Sequence, residues 1–267
     1  MVKAIAVDMD GTFLNSDNDY NRERFEKLFT EMMNRNIKFI VASGNQYAQL
    51  RSFFPKYENE MTFVSENGAL IFEKNKLIQK TTFNLATVRT VLQLLQTLPF
   101  PIGIVLSGVS QAYMLKSEPE KFKSFARIYY HRLTELETFS DLPQDDFVKF
   151  ALQVPGEQTE ELVERMNRDL KGKVTAVSSG HGDIDLIIPG THKGRALQFL
   201  LENWEITPSE LVSFGDGNND LEMLTLAGKS YAMKNGSNET HQTAQQLAPT
   251  NDEDGVLAVI ESLLEIQ

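Results

Sequence analysis

The chain alternates between short apolar runs and longer segments in which apolar residues recur at helical spacing. Ala4, Ile5, Ala6 and Val7 form the first run, stopped at once by Asp8, Met9, Asp10, Gly11 and Thr12. A continuous apolar run of this length, bounded by polar residues, predicts a fully buried strand. Phe25, Leu28, Phe29 and Met32 then share one helical face, with Asn21 as the candidate N-cap. Residues 37–42 predict a second strand, which ends at Ser43-Gly44-Asn45, and a helix follows through Phe54 to stop at Pro55. Thr62–Ser65 predicts a third strand, ending at Glu66-Asn67-Gly68. Strands and helices in alternation predict a parallel sheet with crossover helices.

The rhythm changes after Gly68. Residues 69–72 and 77–82 pattern as an antiparallel ribbon, followed by a helix over 83–97 closed off by Pro99 and Pro101. Strands are expected at 102–106 and 111–116, then a helix with Pro119 as its first residue, running to Tyr129. A strand at 147–154, a helix over 157–170 and a strand pair at 174–178 and 184–188 complete a section of mixed α+β character. The βα rhythm returns at Pro189, with a helix over 193–204 and a strand at 211–214 that opens onto Gly215-Asp216-Gly217-Asn218-Asn219-Asp220. A helix through Leu226, a strand at 230–233 and a helix over 256–264 follow. The expected fold class is α/β: a doubly wound, mostly parallel sheet from residues 1–82 and 189–267, interrupted by an inserted α+β lobe at 83–188.

Composition narrows the chemistry. There is no cysteine, which excludes disulfides, zinc–thiolate sites and cysteine nucleophiles. A formal net charge of −11 argues against nucleic acid or an anionic membrane as partner. No run approaches the roughly 20 apolar residues needed to span a bilayer, and no secretory signal is seen, so a cytoplasmic protein with no obligate protein partner is expected.

Three apolar strands end in polar, glycine-containing turns, at Asp8–Thr12, Ser43-Gly44 and Gly215–Asp220, and Lys193 starts a helix between the second and third. As parallel neighbours these strands would gather all of these groups at one sheet edge, where open α/β sheets bind ligands. Two carboxylates, a hydroxyl with adjacent amides, a cation and further carboxylates suit phosphoryl transfer, in which positioning and charge neutralisation do most of the work. Each residue alone has a plainer reading: Asp8 and Asp10 as an exposed turn, Ser43 as a helix cap, Lys193 as a solvated helix residue. An EF-hand reading fails because the glycine comes too early, and a dinucleotide-binding reading fails because the third glycine is missing. His181-Gly182-Asp183 with Asp185 reads first as a polar turn and second as a metal or sugar contact. Glu66-Asn67-Gly68 is a hairpin turn or part of a substrate entrance, and Asn238-Glu239-Thr240 matches a glycosylation sequon.

Taken together, the stretches resemble a known family. DMDGTFL resembles the first motif of the haloacid dehalogenase-like phosphohydrolases; Ser43-Gly44, Lys193 and GDGNND resemble the second, third and fourth motifs in order. The insert resembles the α/β (C2) cap of the Cof-type branch, many of whose members are sugar-phosphate phosphatases. The resemblance implies a Rossmann-like core and Mg²⁺-dependent phosphoric monoester hydrolysis through an aspartyl-phosphate. In that mechanism Asp8 is the nucleophile and Asp10 the general acid and base. Mg²⁺ is held by the Asp8 carboxylate, the Asp10 main-chain carbonyl and the Asp216 carboxylate, while Ser43, the amides of Met9 and Gly44, Lys193 and Asn219 hold the phosphoryl oxygens. Asp220 supports Lys193 or the metal's surroundings. The cap is expected to close over a small phosphorylated metabolite, a sugar phosphate first of all. One departure stands out, because Asn45 takes the place where many relatives carry arginine. The competing functions are a phosphatase of flavin mononucleotide or pyridoxal phosphate, a phosphomutase, and a non-catalytic regulator that binds a phosphorylated metabolite. The joint presence of Asp8, Asp10, Lys193 and Asp216 argues against the last.

Overall fold

β1 (Ala4–Val7) is buried along its whole length in the computed structural model, which describes residues 1–180 and 182–265. α1 (Arg22–Asn34) starts where Asn21 accepts the Arg24 N–H at 3.1 Å and buries Phe25, Leu28, Phe29 and Met32. Phe25 meets the rings of Phe13, Phe39 and Phe54 at 5.5, 5.3 and 5.5 Å, so an aromatic cluster anchors the loop after β1 from beneath. β2 (Lys38–Ala42) leads to α2 (Tyr47–Leu50), which is much shorter than the expected helix. Its continuation tightens into a 3₁₀ turn over Arg51–Phe53, with the Phe54 N–H bonded to the Arg51 carbonyl at 3.0 Å. β3 (Thr62–Ser65), β4 (Leu70–Glu73) and β5 (Lys76–Lys80) follow.

The middle of the chain forms its own sheet. α3 (Leu85–Gln96) is capped by Asn84, and β6 (Gly103–Gly108) and β7 (Ala112–Leu115) pair antiparallel. α4 (Glu120–Tyr129) has Pro119 as its N-cap, at ψ 143°, where the sequence placed it as the first helical residue. β8 (Leu133–Leu136), which the apolar pattern did not predict, lies parallel to β7. Then come β9 (Phe147–Gln153), α5 (Thr159–Asp169), β10 (Thr175–Gly180) and β11 (Asp183–Ile187). The strand order is β10-β11-β9-β6-β7-β8. Ile104 and Leu106 pack with Val91 and Leu95 of α3 and Met166 of α5, whereas Val105 packs with Phe122 and Ala126 of α4. The alternation along β6 thus puts helices on both faces.

The first sheet is completed by the rest of the chain. α6 (Lys193–Asn203) packs Ala196, Leu197 and Leu200 against Ala4, Ala6, Ile40 and Val64. β12 (Leu211–Gly215), α7 (Leu221–Leu226) and β13 (Lys229–Met233) follow, and then two short elements absent from the expectations, α8 (Asn238–Thr243) and β14 (Gln246–Ala248), before α9 (Gly255–Glu265). The order is β14-β13-β12-β1-β2-β3-β4-β5. The first six are parallel, and β4 runs antiparallel to β3. The chain winds outward in both directions from the β1–β12 boundary, which is the switch point of a doubly wound sheet.

Two compact units result. One comprises Met1–Gly44, Leu50–Ile78 and the chain from His192 on; the other comprises Gln79–Thr191 together with Asn45–Gln49. The short piece is held by Gln46, whose carboxamide donates to the Arg132 carbonyl and accepts the Arg132 N–H, both at 2.9 Å. Among the described residues no helix is long and apolar enough to cross a membrane.

Candidate active site at the sheet switch point

β1 and β12 end side by side, and their turns supply the central groups. The Asp8 N–H donates to the Phe214 carbonyl at 3.1 Å, carrying the strand register one residue past β1. The chain then folds back on itself, with the N–H groups of Thr12, Phe13 and Leu14 all reaching the Met9 carbonyl at 3.3, 3.0 and 2.9 Å. Gly11, at φ 76°, makes this reversal possible, and a Cβ there would run into the Asp216 carboxylate. Thr12 Oγ1 donates to Asp216 Oδ1 at 2.8 Å, which ties the first turn to the fourth.

Lys193 opens α6, after an N-cap at His192 whose Nδ1 accepts the Arg195 N–H at 3.1 Å. Its side chain is wholly buried, with Nζ 2.6 Å from Asp8 Oδ1 and 2.5 Å from Asp220 Oδ1. Asp220 Oδ2 accepts the N–H groups of Asp216 and Gly217, each at 3.0 Å. Asp220 is therefore committed to holding Lys193 and the loop.

The charge balance is unequal. Asp8, Asp216 and Asp220 each have a carboxylate oxygen within 4.8 Å of the others, against the single ammonium of Lys193. Burial raises Asp8 well above the ordinary carboxylate range; Lys193 opposes this, while Asp220, Asp216 and Asp10 add to it. Asp216 is pushed up to about 6, by burial first and then by Asp220 and Asp10, with the Thr12 hydroxyl and Lys193 acting against. Burial alone would lower Lys193, but Asp220 and Asp8 outweigh it and keep the ammonium protonated, above its ordinary value. A buried surplus of hard oxygen donors and negative charge fits a divalent cation such as Mg²⁺.

A second set of groups lies at the ends of β2 and β3. Ser43 donates its N–H to the Val64 carbonyl at 2.9 Å, and its own carbonyl accepts the Asn67 N–H at 3.1 Å. Asn219 Nδ2 donates to Asn67 Oδ1 at 3.2 Å. The sequence-predicted residues thus fall into two bonded groups: Asp8, Asp216, Asp220 and Lys193 in one, Ser43 and Asn219 in the other through Asn67. Gly44 lies against the Asn67 carboxamide. Asp10 takes part through its charge on Asp8 and Asp216.

Several contributors carry no local signal in the sequence. Asn235 Nδ2 donates to the Gly11 carbonyl at 2.7 Å, Asn251 Nδ2 to the Leu14 carbonyl at 2.9 Å, and the Asn251 N–H to Asn235 Oδ1 at 3.1 Å. These late residues clamp the first turn from outside. Of the secondary candidates, Asp183 and Asp185 belong to β11, with Asp185 Oδ2 3.5 Å from Lys149 Nζ, and His181 lies outside the described residues. Asn238 begins α8 directly after its N-cap, Ser237.

A haloacid dehalogenase-like hydrolase family model matches residues 5–260. The chain belongs to this family. It is 42% identical over 264 residues to the 5-amino-6-(5-phospho-D-ribitylamino)uracil phosphatase YbjI of Escherichia coli (strain K12), covering 99% of this chain and 97% of that protein. YcsE of Bacillus subtilis (strain 168), a phosphatase of the same name, is 24% identical over 263 residues, 97% of this chain and 94% of its own. The solved structure of SMU.1108c from Streptococcus mutans UA159 superposes with a TM-score of 0.94 at 38% identity, covering 99% of this chain and 100% of that one. Within the family the chain is a phosphatase.

Proposed function

We propose that this phosphatase hydrolyses small phosphomonoesters in a Mg²⁺-dependent reaction through an aspartyl-phosphate on Asp8. The observation that carries the reading is the buried Lys193, gripped at 2.6 and 2.5 Å by Asp8 and Asp220 beside Asp216. Lys193 opposes the upward shift that burial imposes on Asp8 and holds its carboxylate in place, and a bound cation would add to that stabilisation of the anionic nucleophile. Asp8 attacks phosphorus, the phosphorus–oxygen ester bond breaks, and Asp10 protonates the departing alkoxide. Asp10 then takes a proton from water as that water attacks phosphorus and frees Asp8. Asp8, Asp216 and the Asp10 carbonyl would hold Mg²⁺, which supplies charge neutralisation between the carboxylate and the phosphoryl dianion. Ser43, Lys193, Asn219 and the amides of Met9 and Gly44 bind the phosphoryl oxygens, and Asp220 holds Lys193 in place.

The inserted unit is the part that selects the leaving group. Within the sugar-phosphate class, a phosphate on the terminal hydroxyl of a short polyol is favoured, because the 42% identical relative is named for a phosphoribitylaminouracil. Phosphate release should be measured across a panel containing that compound, hexose and pentose phosphates, flavin mononucleotide and pyridoxal phosphate, with Mg²⁺ and with chelator. The expected result is Mg²⁺-dependent turnover, highest on the phosphoribityl compound or the sugar phosphates. Preference for flavin mononucleotide or pyridoxal phosphate would overturn the substrate class, isomerisation without phosphate release would mark a phosphomutase, and no turnover at all would leave a binding protein.

A further inference from the structure

One buried turn outside the four motifs touches three of them. Glu66, Asn67 and Gly68 follow β3 with φ values of 51°, 57° and 100°, three successive residues in the left-handed region. Glycine and asparagine tolerate that region, but glutamate does not do so readily. All three are buried, unlike the tip of an ordinary hairpin. Such a conformation persists where its surroundings over-determine it, and those surroundings cluster at functional sites. Here they are the phosphoryl-binding loops.

The Asn67 main chain donates to the Ser43 carbonyl at 3.1 Å, and its Oδ1 accepts from Asn219 Nδ2 at 3.2 Å. A Cβ added at Gly44 would stand 3.0 Å from Asn67 Oδ1 and 3.3 Å from Nδ2, so the carboxamide lies flat against that glycine. A Cβ on Gly68 would stand 2.6 Å from the carbonyl oxygen of His192, the residue before Lys193. The turn thus abuts the second, third and fourth motif segments at once.

We propose that Asn67 is a positioning residue for phosphoryl binding, acting through Asn219 and the Ser43-Gly44 loop. The inference rests on the phosphomonoester reading above. A free asparagine side chain can present either edge of its amide, and the oxygen edge repels a phosphoryl oxygen. By accepting one Nδ2 hydrogen, Asn67 fixes which edge Asn219 presents and leaves the second hydrogen for the substrate. Asn67 itself touches no substrate in this scheme.

The test is a double-mutant cycle on phosphate release from p-nitrophenyl phosphate with saturating Mg²⁺, read as KM and kcat, with melting temperatures alongside. The variants are Asn67→Gly, Asn219→Ala and the pair together. Glycine retains the left-handed backbone while removing the whole side chain, so the readout belongs to the side chain. Asn67→Gly is expected to lower kcat/KM on the order of tenfold, chiefly through KM, and to change the Asn219→Ala enzyme by less than about twofold, since coupled residues do not add. If Asn67→Gly gives no soluble protein, Asn67→Ser enters the same cycle. Losses that multiply in the double variant, or wild-type KM in Asn67→Gly, would overturn the proposal while the phosphatase reading stands. A wild-type protein inert on every phosphomonoester would overturn both.

Discussion

The two sheets of this molecule handle buried charge differently. In the inserted unit, polar groups balance one another locally. Lys123 and Arg127 of α4 both reach Glu135 of β8, at 2.8 and 2.6 Å, and Asp145 accepts the Tyr113 hydroxyl at 2.9 Å and the Asp146 N–H at 2.8 Å. Lys123 and Arg127 lie 12 and 8 residues from Glu135, and Tyr113 lies 32 residues from Asp145. At the switch point of the first sheet, Asp8 meets Lys193 and Thr12 meets Asp216 across 185 and 204 residues of sequence, and Lys193 also holds Asp220. Negative charge remains in surplus there. A buried surplus of carboxylates is the arrangement expected where a functional site perturbs its ionisable groups.

Mutation should separate the two regions. The largest effect is expected for Asp8→Asn, which should lower phosphate release on the order of 10⁴-fold or more without lowering the melting temperature in chelator, because a buried charge of the surplus sign has been removed. Lys193→Met comes next. It should cost about 10³-fold in kcat/KM, and about 3 kcal/mol in urea unfolding because two buried carboxylates lose their partner.

A pH experiment gives the comparison a sign. Asp216 is raised to about 6 from the ordinary 3.8, so the metal-free fold holds a proton that the unfolded chain releases. Its contribution therefore favours the folded state at low pH and fades as pH rises through about 6. In chelator, urea unfolding should show the protein more stable at pH 5.5 than at pH 7.5 by about 0.8 kcal/mol from this group, since each pKa unit is worth about 1.4 kcal/mol and most of the loss falls between the unfolded value and pH 5.5. Mg²⁺ should reverse that order, because binding requires the carboxylates ionised. Glu135 in the inserted unit is shifted the other way, lowered by its bonds to Lys123 and Arg127, and its contribution weakens on acidification. The smallest effect is expected for Lys123→Met, about 1 kcal/mol or less in unfolding, with turnover within about twofold of wild type. Loss of turnover in that variant would erase the distinction between the two sheets.

Much of this was legible from the chain. The apolar run before Asp8 and its counterpart before Asp216 were readable because a buried parallel strand is apolar throughout, and glycine-rich turns mark where such strands stop. Lys193 was readable only through its place in the order of motifs; nothing local separates it from a solvated lysine. β8 and β14 escaped because each is short and part polar, and each is stabilised by the strand beside it. α2 proved short because its continuation tightens to 3₁₀ bonding, which side-chain spacing does not reveal. Asn235 and Asn251 escaped for a different reason: each works through hydrogen bonds to main chain far away in sequence, which leave no periodicity. The turn at Glu66-Asn67-Gly68 is legible as a turn, but its hold on three other segments exists only once β2, β3, β12 and the start of α6 are brought together.

The division between the units also bears on how the chain can be taken apart. It passes from one unit to the other after residues 44, 49, 78 and 191. Exchanging the insert with that of a relative by cutting only at the two outer junctions would leave Asn45–Gln49 behind, with Gln46 deprived of both bonds to Arg132. A transplant that carries Gln46 and its neighbours along with 79–191 preserves that pairing. The unit boundary therefore falls inside the second-motif loop, between Gly44 and Asn45, and a chimera should respect it.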